Sequence, residues 1–200
     1  MSAQRCARGA SLRLALWRPQ LFFPEAPAPL RDWLTTAGSL TARLKAHSHA
    51  FRVQCLHQRP ATCLADEVAA LDLPRQGRVW EREVLLRCDH TAAVFAHTVV
   101  PLTATASDWP LFGALGERSL GTTLFGDPLV RRSVLEFARL REGHPLALRA
   151  RSALGAEAAL TDILYARRCL YRRRRGTLLV TEVFLPSVLE LKQVTIKNEQ

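Results

Sequence analysis

The sequence predicts an α+β domain: a single six-stranded antiparallel sheet with helices and loops packed around it. Three observations support this. Apolar residues alternate with a period of two in six segments. Short turns join several of these segments, which favours antiparallel pairing. Helical spacing is concentrated near the start of the chain and in its loops, so helices and strands are segregated. The chain has 200 residues, 48% of them apolar, which is enough for one domain with a substantial core.

The elements follow in order. Pro24, Pro27 and Pro29 end the N-terminal segment and lead into a helix in which Leu30, Trp33 and Leu34 have helical spacing. Gly38 stops it, and Ser39 suits the N-cap of a second helix holding Leu40, Arg43 and Leu44. Residues 51–57 alternate as a first strand, and residues 66–71 read as a short helix before Pro74. Gly77 opens a second strand that runs to Cys88. Asp89-His90 is a turn signal, and residues 91–101 return as the third strand of a hairpin. Residues 106–126 hold Pro110 and glycines 113, 116, 121 and 126, so they read as a loop with short helical turns. Residues 130–140 make a fourth strand. Residues 142–162 are an Ala/Leu-rich, partly helical insertion. Residues 163–173 and 177–186 are the fifth and sixth strands, joined by a turn near Arg175-Gly176. The expected organisation is a basic, flexible extension over 1–26, a folded domain over 27–187 and a polar tail over 188–200.

Composition excludes several function classes. No apolar run reaches the ~18 residues of a membrane span. Five cysteines (Cys6, Cys55, Cys63, Cys88, Cys169) are an odd number without C-x-x-C spacing, which points to reduced thiols in a cytosolic protein. The net charge of +10 owes much to Arg167, Arg168 and the run Arg172 to Arg175. No nucleic-acid-binding motif accompanies that charge, so it reads as a basic rim that attracts small anions. The first 24 residues carry four arginines and no acid, as a mitochondrial presequence does, but a frayed basic extension on a bacterial protein is preferred. His47, His49, Cys55, His57 and Cys63 match no structural zinc spacing, and no metal is expected. Gly113-x-x-Gly116-x-x-x-x-Gly121 could offer N–H groups to an anion. It lacks the P-loop and dinucleotide patterns, so it reads as a surface loop.

The strongest lead is two charges on faces that should be dry. Arg82 shares a face with Trp80, Val84 and Leu86. Glu182 shares one with Leu178, Val180 and Phe184. A buried charge must be paired, hydrated or waiting for a ligand. One alternative is a structural bridge from Arg82 to Glu182 or to Glu136, which lies beside Val134 and Ala138 in alternation. The other is a pocket in which a guanidinium receives an anionic group while a carboxylate meets a hydroxyl. A carboxylate in apolar surroundings can donate or accept a proton near neutrality, so Glu182 alone names no reaction.

Six segments in this order resemble the bacterial chorismate lyase (4-hydroxybenzoate synthase) family. They are Trp33-Leu34 with Ser39-Leu40-Thr41-x-Arg43; Val79-Trp80-x-Arg82-Glu83-Val84-Leu85-Leu86; Thr98-Val99-Val100-Pro101; Leu120-Gly121-x-x-Leu124-Phe125; Arg167-Arg168; and Leu178-Leu179-Val180-Thr181-Glu182-Val183-Phe184-Leu185-Pro186. The resemblance implies a chorismate lyase-like fold. It also implies cofactor-independent removal of pyruvate from chorismate to give 4-hydroxybenzoate, the committed step into ubiquinone, by a cytoplasmic monomer. By resemblance, Arg82 takes the ring carboxylate with the backbone N–H groups of Leu40 and Leu120, and Glu182 faces the 4-hydroxyl. Whether Glu182 also moves a proton stays open, because a concerted elimination is equally compatible. Loops over 36–46 and 108–126 would cover the product and slow its release.

Three departures from the family pattern stand out. His97 stands where the family commonly has an arginine, which makes it a candidate contact for the second carboxylate of the substrate. Tyr165 and Cys169 flank the paired arginines in place of the familiar tryptophan and serine. The insertion over 143–162 is longer than in compact members. The rival expectation is a non-catalytic ligand-binding domain like the effector domains of GntR-type regulators, which share the fold. The sequence leaves little room for the winged helix that such domains normally follow.

Overall fold

The computed structural model describes residues 14–19, 26–105, 107–110, 112–155 and 161–194. Most of the expected N-terminal extension, the end of the tail and residues 156–160 of the insertion lie outside them. Two helices come first, α1 (Ala28–Thr35) and α2 (Leu40–Ala46). Ser39 caps α2 as expected, its Oγ accepting from the N–H of Ala42 at 3.3 Å. The strands are β1 (Phe51–Thr62), β2 (Arg78–Cys88), β3 (Thr91–Pro101), β4 (Val130–Arg132), β5 (Glu136–Arg141), β6 (Ile163–Arg173) and β7 (Gly176–Phe184). Between β3 and β4 lie α3 (Leu102–Thr105), a 3₁₀ turn (Phe112–Ala114) and α4 (Leu120–Gly126). α5 (Pro145–Leu154) separates β5 from β6, and a 3₁₀ turn (Pro186–Glu190) follows β7.

The sheet is antiparallel, with order β1-β2-β3-β7-β6-β4 and β5 also paired to β6. It has seven strands and not six. The expected fourth strand is broken at Ser133. Between the pairs Arg132–Tyr171 and Glu136–Arg168, residues 133–135 face only 169 and 170 of β6, a β-bulge. Ser133 makes the break by local bonding: its N–H donates to the carbonyl of Leu170, and its Oγ accepts from the N–H of Leu170. Two further expectations are corrected. β1 runs on to Thr62 through Pro60, which an edge strand tolerates. Residues 66–71 form turns and not a helix, closed by Asp72 at φ 56°.

Both faces of the sheet are covered. On one, Val84, Leu86, Val94, Ala96 and Phe184 pack against Leu30, Trp33, Leu34, Leu40 and Leu44 of α1 and α2. On the other, Leu85, Phe95 and Val183 meet Leu146, Ala147 and Ala150 of α5. α5 starts where local chemistry allows, with His144 Nδ1 accepting from the N–H of Leu146 and Pro145 at the first turn. No helix among the described residues is long and apolar enough to cross a membrane.

Double covering buries charges on the α5 face that alternation alone places beside Leu85. Glu81 and Glu83 are 1% and 4% exposed. Arg149 of α5 donates from Nη1 to Glu81 Oε2 at 2.7 Å and to Glu83 Oε1 at 2.6 Å. His57 Nε2 lies 2.9 Å from Glu81 Oε1. His97, fully buried, has Nδ1 3.0 Å from Glu83 Oε1. Its Nε2 is 2.9 Å from Glu67 Oε1 but misaligned for a hydrogen bond, so that contact is ionic. Burial favours neutral imidazole, yet Glu67 and Glu83 outweigh it and push the His97 pKa up to about 10. Burial likewise opposes the Glu83 carboxylate, but His97 and Arg149 bring its pKa down to about 2.

A pKa raised by folding stabilises fully below the unfolded histidine value of ~6.5, and that stability is lost as pH climbs to about 10. Glu83, lowered by folding, contributes above the ordinary glutamate value of ~4.3 and loses its contribution as pH falls to about 2. Thermal unfolding midpoints should therefore be highest between about pH 5 and 6.5 and decline towards pH 10. His97→Gln should remove most of the alkaline decline and cost about 3–5 kcal/mol at pH 6, because Glu67 loses its cation and Glu83 keeps only Arg149. Equal alkaline slopes in wild type and variant would contradict the assignment.

Candidate active site

Arg82 and Glu182 line one cavity on the α1–α2 face of the sheet. Val84, Ala96, Thr98 and Val180 form its floor, and residues 38–41 and 119–121 its roof. About 660 Å³ of empty space lies between these walls, mouth included. The register Arg82–Thr98 and Ala96–Glu182 puts β3 between the two charges. They stand about 10 Å apart across the strands. No hydrogen bond or ion pair joins them, so the structural bridge is not what holds either one.

Arg82 is 2% exposed. Its Nη2 donates to the carbonyls of Gly116 at 2.8 Å and Arg118 at 3.0 Å. Its Nε is buried without a hydrogen-bond partner. Burial draws its pKa below the ordinary value, partly offset by Cys55. No carboxylate pairs with it among the described residues. Gly116 sits at φ +53°, a left-handed turn that any other residue would strain. The glycine segment expected as plain surface loop thus anchors the guanidinium.

Glu182 accepts from Arg167 Nε at 2.5 Å. Arg167 is 2% exposed, and its Nη1 also donates to the carbonyls of Leu34 at 3.1 Å and Thr36 at 2.8 Å. The pair thereby ties β6 and β7 to the end of α1. Glu136 is bonded to Arg168 at 2.8 Å.

Two short helices meet over the cavity. Leu40 and Leu120 are the first residues of α2 and α4, where the main-chain N–H groups have no acceptor within the helix. Thr41 Oγ1 and Ser119 Oγ lie 2.8 Å apart. A Cβ on Gly121 would stand 3.2 Å from Thr41 Oγ1, so a small residue lets the helices approach. Arg132 of β4 completes the wall, with Nε donating to Cys169 Sγ at 3.3 Å and Nη1 to the carbonyl of Ala37 at 2.5 Å. Burial works to lower the pKa of Arg132, but Cys169, Tyr171 and Glu182 outweigh it and raise it.

His97 is not in the cavity. On β3 it alternates with Ala96 and Thr98, so its ring points to the α5 face, where Glu67 and Glu83 hold it. The expectation that it meets a substrate carboxylate is corrected on that ground. Metal-type chemistry gathers at His57, Glu81 and Glu83 on the same far face, but Arg149 already occupies both carboxylates.

A family model described as chorismate lyase matches residues 11–194. The chain belongs to the chorismate lyase family. A probable chorismate pyruvate-lyase from Cupriavidus metallidurans is 49% identical over 177 residues, covering 88% of this chain and 82% of that protein. One from Nitrosomonas eutropha is 44% identical over 166 residues, covering 83% and 92%. Among solved structures, the effector domain of PhnF from Mycobacterium smegmatis has a TM-score of 0.51 at 15% identity, covering 75% of this chain and 90% of that one. A GntR-family regulator from Bacillus cereus scores 0.50 at 11%, covering 72% and 98%. These two likenesses concern fold alone. For this chorismate lyase family member, cavity residues that the sequence does not single out include Arg132, Tyr171 and Ser119, and Thr41 and Arg167 enter only as parts of motifs. Alternation on β6 already places Arg167, Cys169 and Tyr171 on one face, so that signal was available.

Arg167→Met should leave Glu182 without its cation and release the end of α1. The expected cost is about 1–3 kcal/mol in urea denaturation, because Glu182 is only partly buried. The double variant Arg167→Met, Glu182→Gln should recover part of it, because no unpaired charge then remains.

Proposed function

We propose that the protein removes the enolpyruvyl group of chorismate, giving 4-hydroxybenzoate and pyruvate without a metal or cofactor. The observation that carries this reading is the cavity itself. It places a buried guanidinium, neutralised by no carboxylate among the described residues, on one side and a carboxylate on the other, under two short helices. Arg82 receives the ring carboxylate by charge-assisted hydrogen bonds, with N–H groups of Leu40 and Leu120 beside it. Glu182, held in place by Arg167, accepts a hydrogen bond from the 4-hydroxyl.

The chemistry asks little of the protein. The C4–H bonding electrons become a ring double bond as the C3–O bond breaks, and the departing oxygen keeps its pair. The proton lost from C4 balances the one enolpyruvate gains on becoming pyruvate. Aromatisation drives the reaction, so orientation and stabilisation of the departing charge suffice. The reaction would commit chorismate to ubiquinone synthesis, carried out by a monomer in the cytoplasm.

Incubation with chorismate should release pyruvate and 4-hydroxybenzoate in equal amounts. Arg82→Ala should weaken 4-hydroxybenzoate binding by roughly 10- to 100-fold. Glu182→Gln with undiminished turnover would rule out proton transfer by that carboxylate. Binding without any pyruvate release would instead fit a ligand-binding domain.

A cavity matched to the product also retains it, so helix opening should limit turnover. Added 4-hydroxybenzoate should slow initial rates. Thr41→Val, which removes the contact between α2 and α4, should relieve that inhibition about fivefold. Initial rates insensitive to product would count against a closed roof.

A further inference from the structure

We propose that Arg132 receives the enolpyruvyl carboxylate, and so separates substrate from product. The inference rests on the chorismate reading above and adds a residue to it. Chorismate carries two carboxylates, whereas 4-hydroxybenzoate keeps only the one on its ring. With the ring carboxylate at Arg82, a second cation is needed for the other.

Substrate geometry says where that cation must be. The enolpyruvyl ether is on C3, next to the carbon that bears the 4-hydroxyl. If the hydroxyl meets Glu182, the ether must emerge at the Glu182 end of the cavity and not at the Arg82 end. Among the described residues, three arginines line the cavity: Arg82, Arg132 and Arg167. Arg82 is on β2, at the wrong end. Arg167 is committed to Glu182 and to the carbonyls that end α1. Arg132 lies where the ether leads. Its strand pairs with β6 at Tyr171, and its Nε bonds Cys169, which follows Arg167 on the same face of β6. Glu182 lines the same cavity.

Cys169 Sγ and the Ala37 carbonyl orient the Arg132 guanidinium. Ala37 lies in the segment between α1 and α2, so a carboxylate on Arg132 sits against the roof. When the C3–O bond breaks, negative charge grows on the enolpyruvate oxygen beside this cation, which stabilises it. The carboxylate then leaves with pyruvate, and the ring product makes no demand on Arg132.

The test compares substrate with product. Wild type and Arg132→Gln are assayed for pyruvate release from chorismate and for 4-hydroxybenzoate affinity by calorimetry. Arg131→Gln, an exposed neighbour on β4, serves as control. For Arg132→Gln, kcat/KM should fall at least about 10- to 100-fold while 4-hydroxybenzoate affinity stays within about twofold. Unchanged product affinity also reports an intact fold. Arg132→Lys should recover part of the loss, and Arg131→Gln should lose nothing. Unchanged kcat/KM in Arg132→Gln would overturn the assignment, as would an equal loss for chorismate and product. Wild type that releases no pyruvate would sink the chorismate reading first and this inference with it.

Discussion

Strand β2 carries three consecutive charged residues into a sheet that is covered on both faces. Glu81, Arg82 and Glu83 are all buried, and alternation sends them to opposite sides. Each side must then solve its own electrostatic problem, because an isolated buried ion costs several kcal/mol. On the α5 side the solution is internal: Arg149, His57 and His97 surround the two glutamates. On the α1–α2 side no acid among the described residues pairs with Arg82, and carbonyls of the loop before α4 hold one edge of it. The far face is saturated with its own counter-charges, while on the near face, among the described residues, main-chain carbonyls are what hold Arg82.

The same division explains Glu182. Its partner is Arg167, anchored on the end of α1, and not Arg82. Pairing within the wall keeps the two cavity charges apart without leaving Glu182 exposed to collapse onto Arg82. The roof is bound to the same residues: Gly116 and Arg118 bond Arg82, Thr36 bonds Arg167, and Ala37 bonds Arg132. The roof and the charged groups below it are thus joined through main-chain carbonyls.

Much of this was legible from residue order. The hairpin of β2 and β3 follows alternation around Asp89-His90, and β6 has the bounds that its pattern implies. The Ser39 cap is a local bond that needs no distant partner. What was misread involves distant partners. The break at Ser133 depends on Leu170, 37 residues away. His97 looked like a site residue because of its place beside the Thr-Val-Val-Pro segment. Its environment is set by Glu67 and Glu83, which no local pattern joins.

The sequence by itself determined the α+β class, the antiparallel pairing and the strand faces on which Arg82 and Glu182 lie among apolar residues, because side-chain alternation is a property of each strand alone. Tertiary structure decided which charges neutralise one another, that β2 is dry on both sides, and that Arg132 and Arg167 join the cavity. The physical reason is that burial and ion pairing are set by which elements cover which face. Those contacts bring together residues dozens of positions apart.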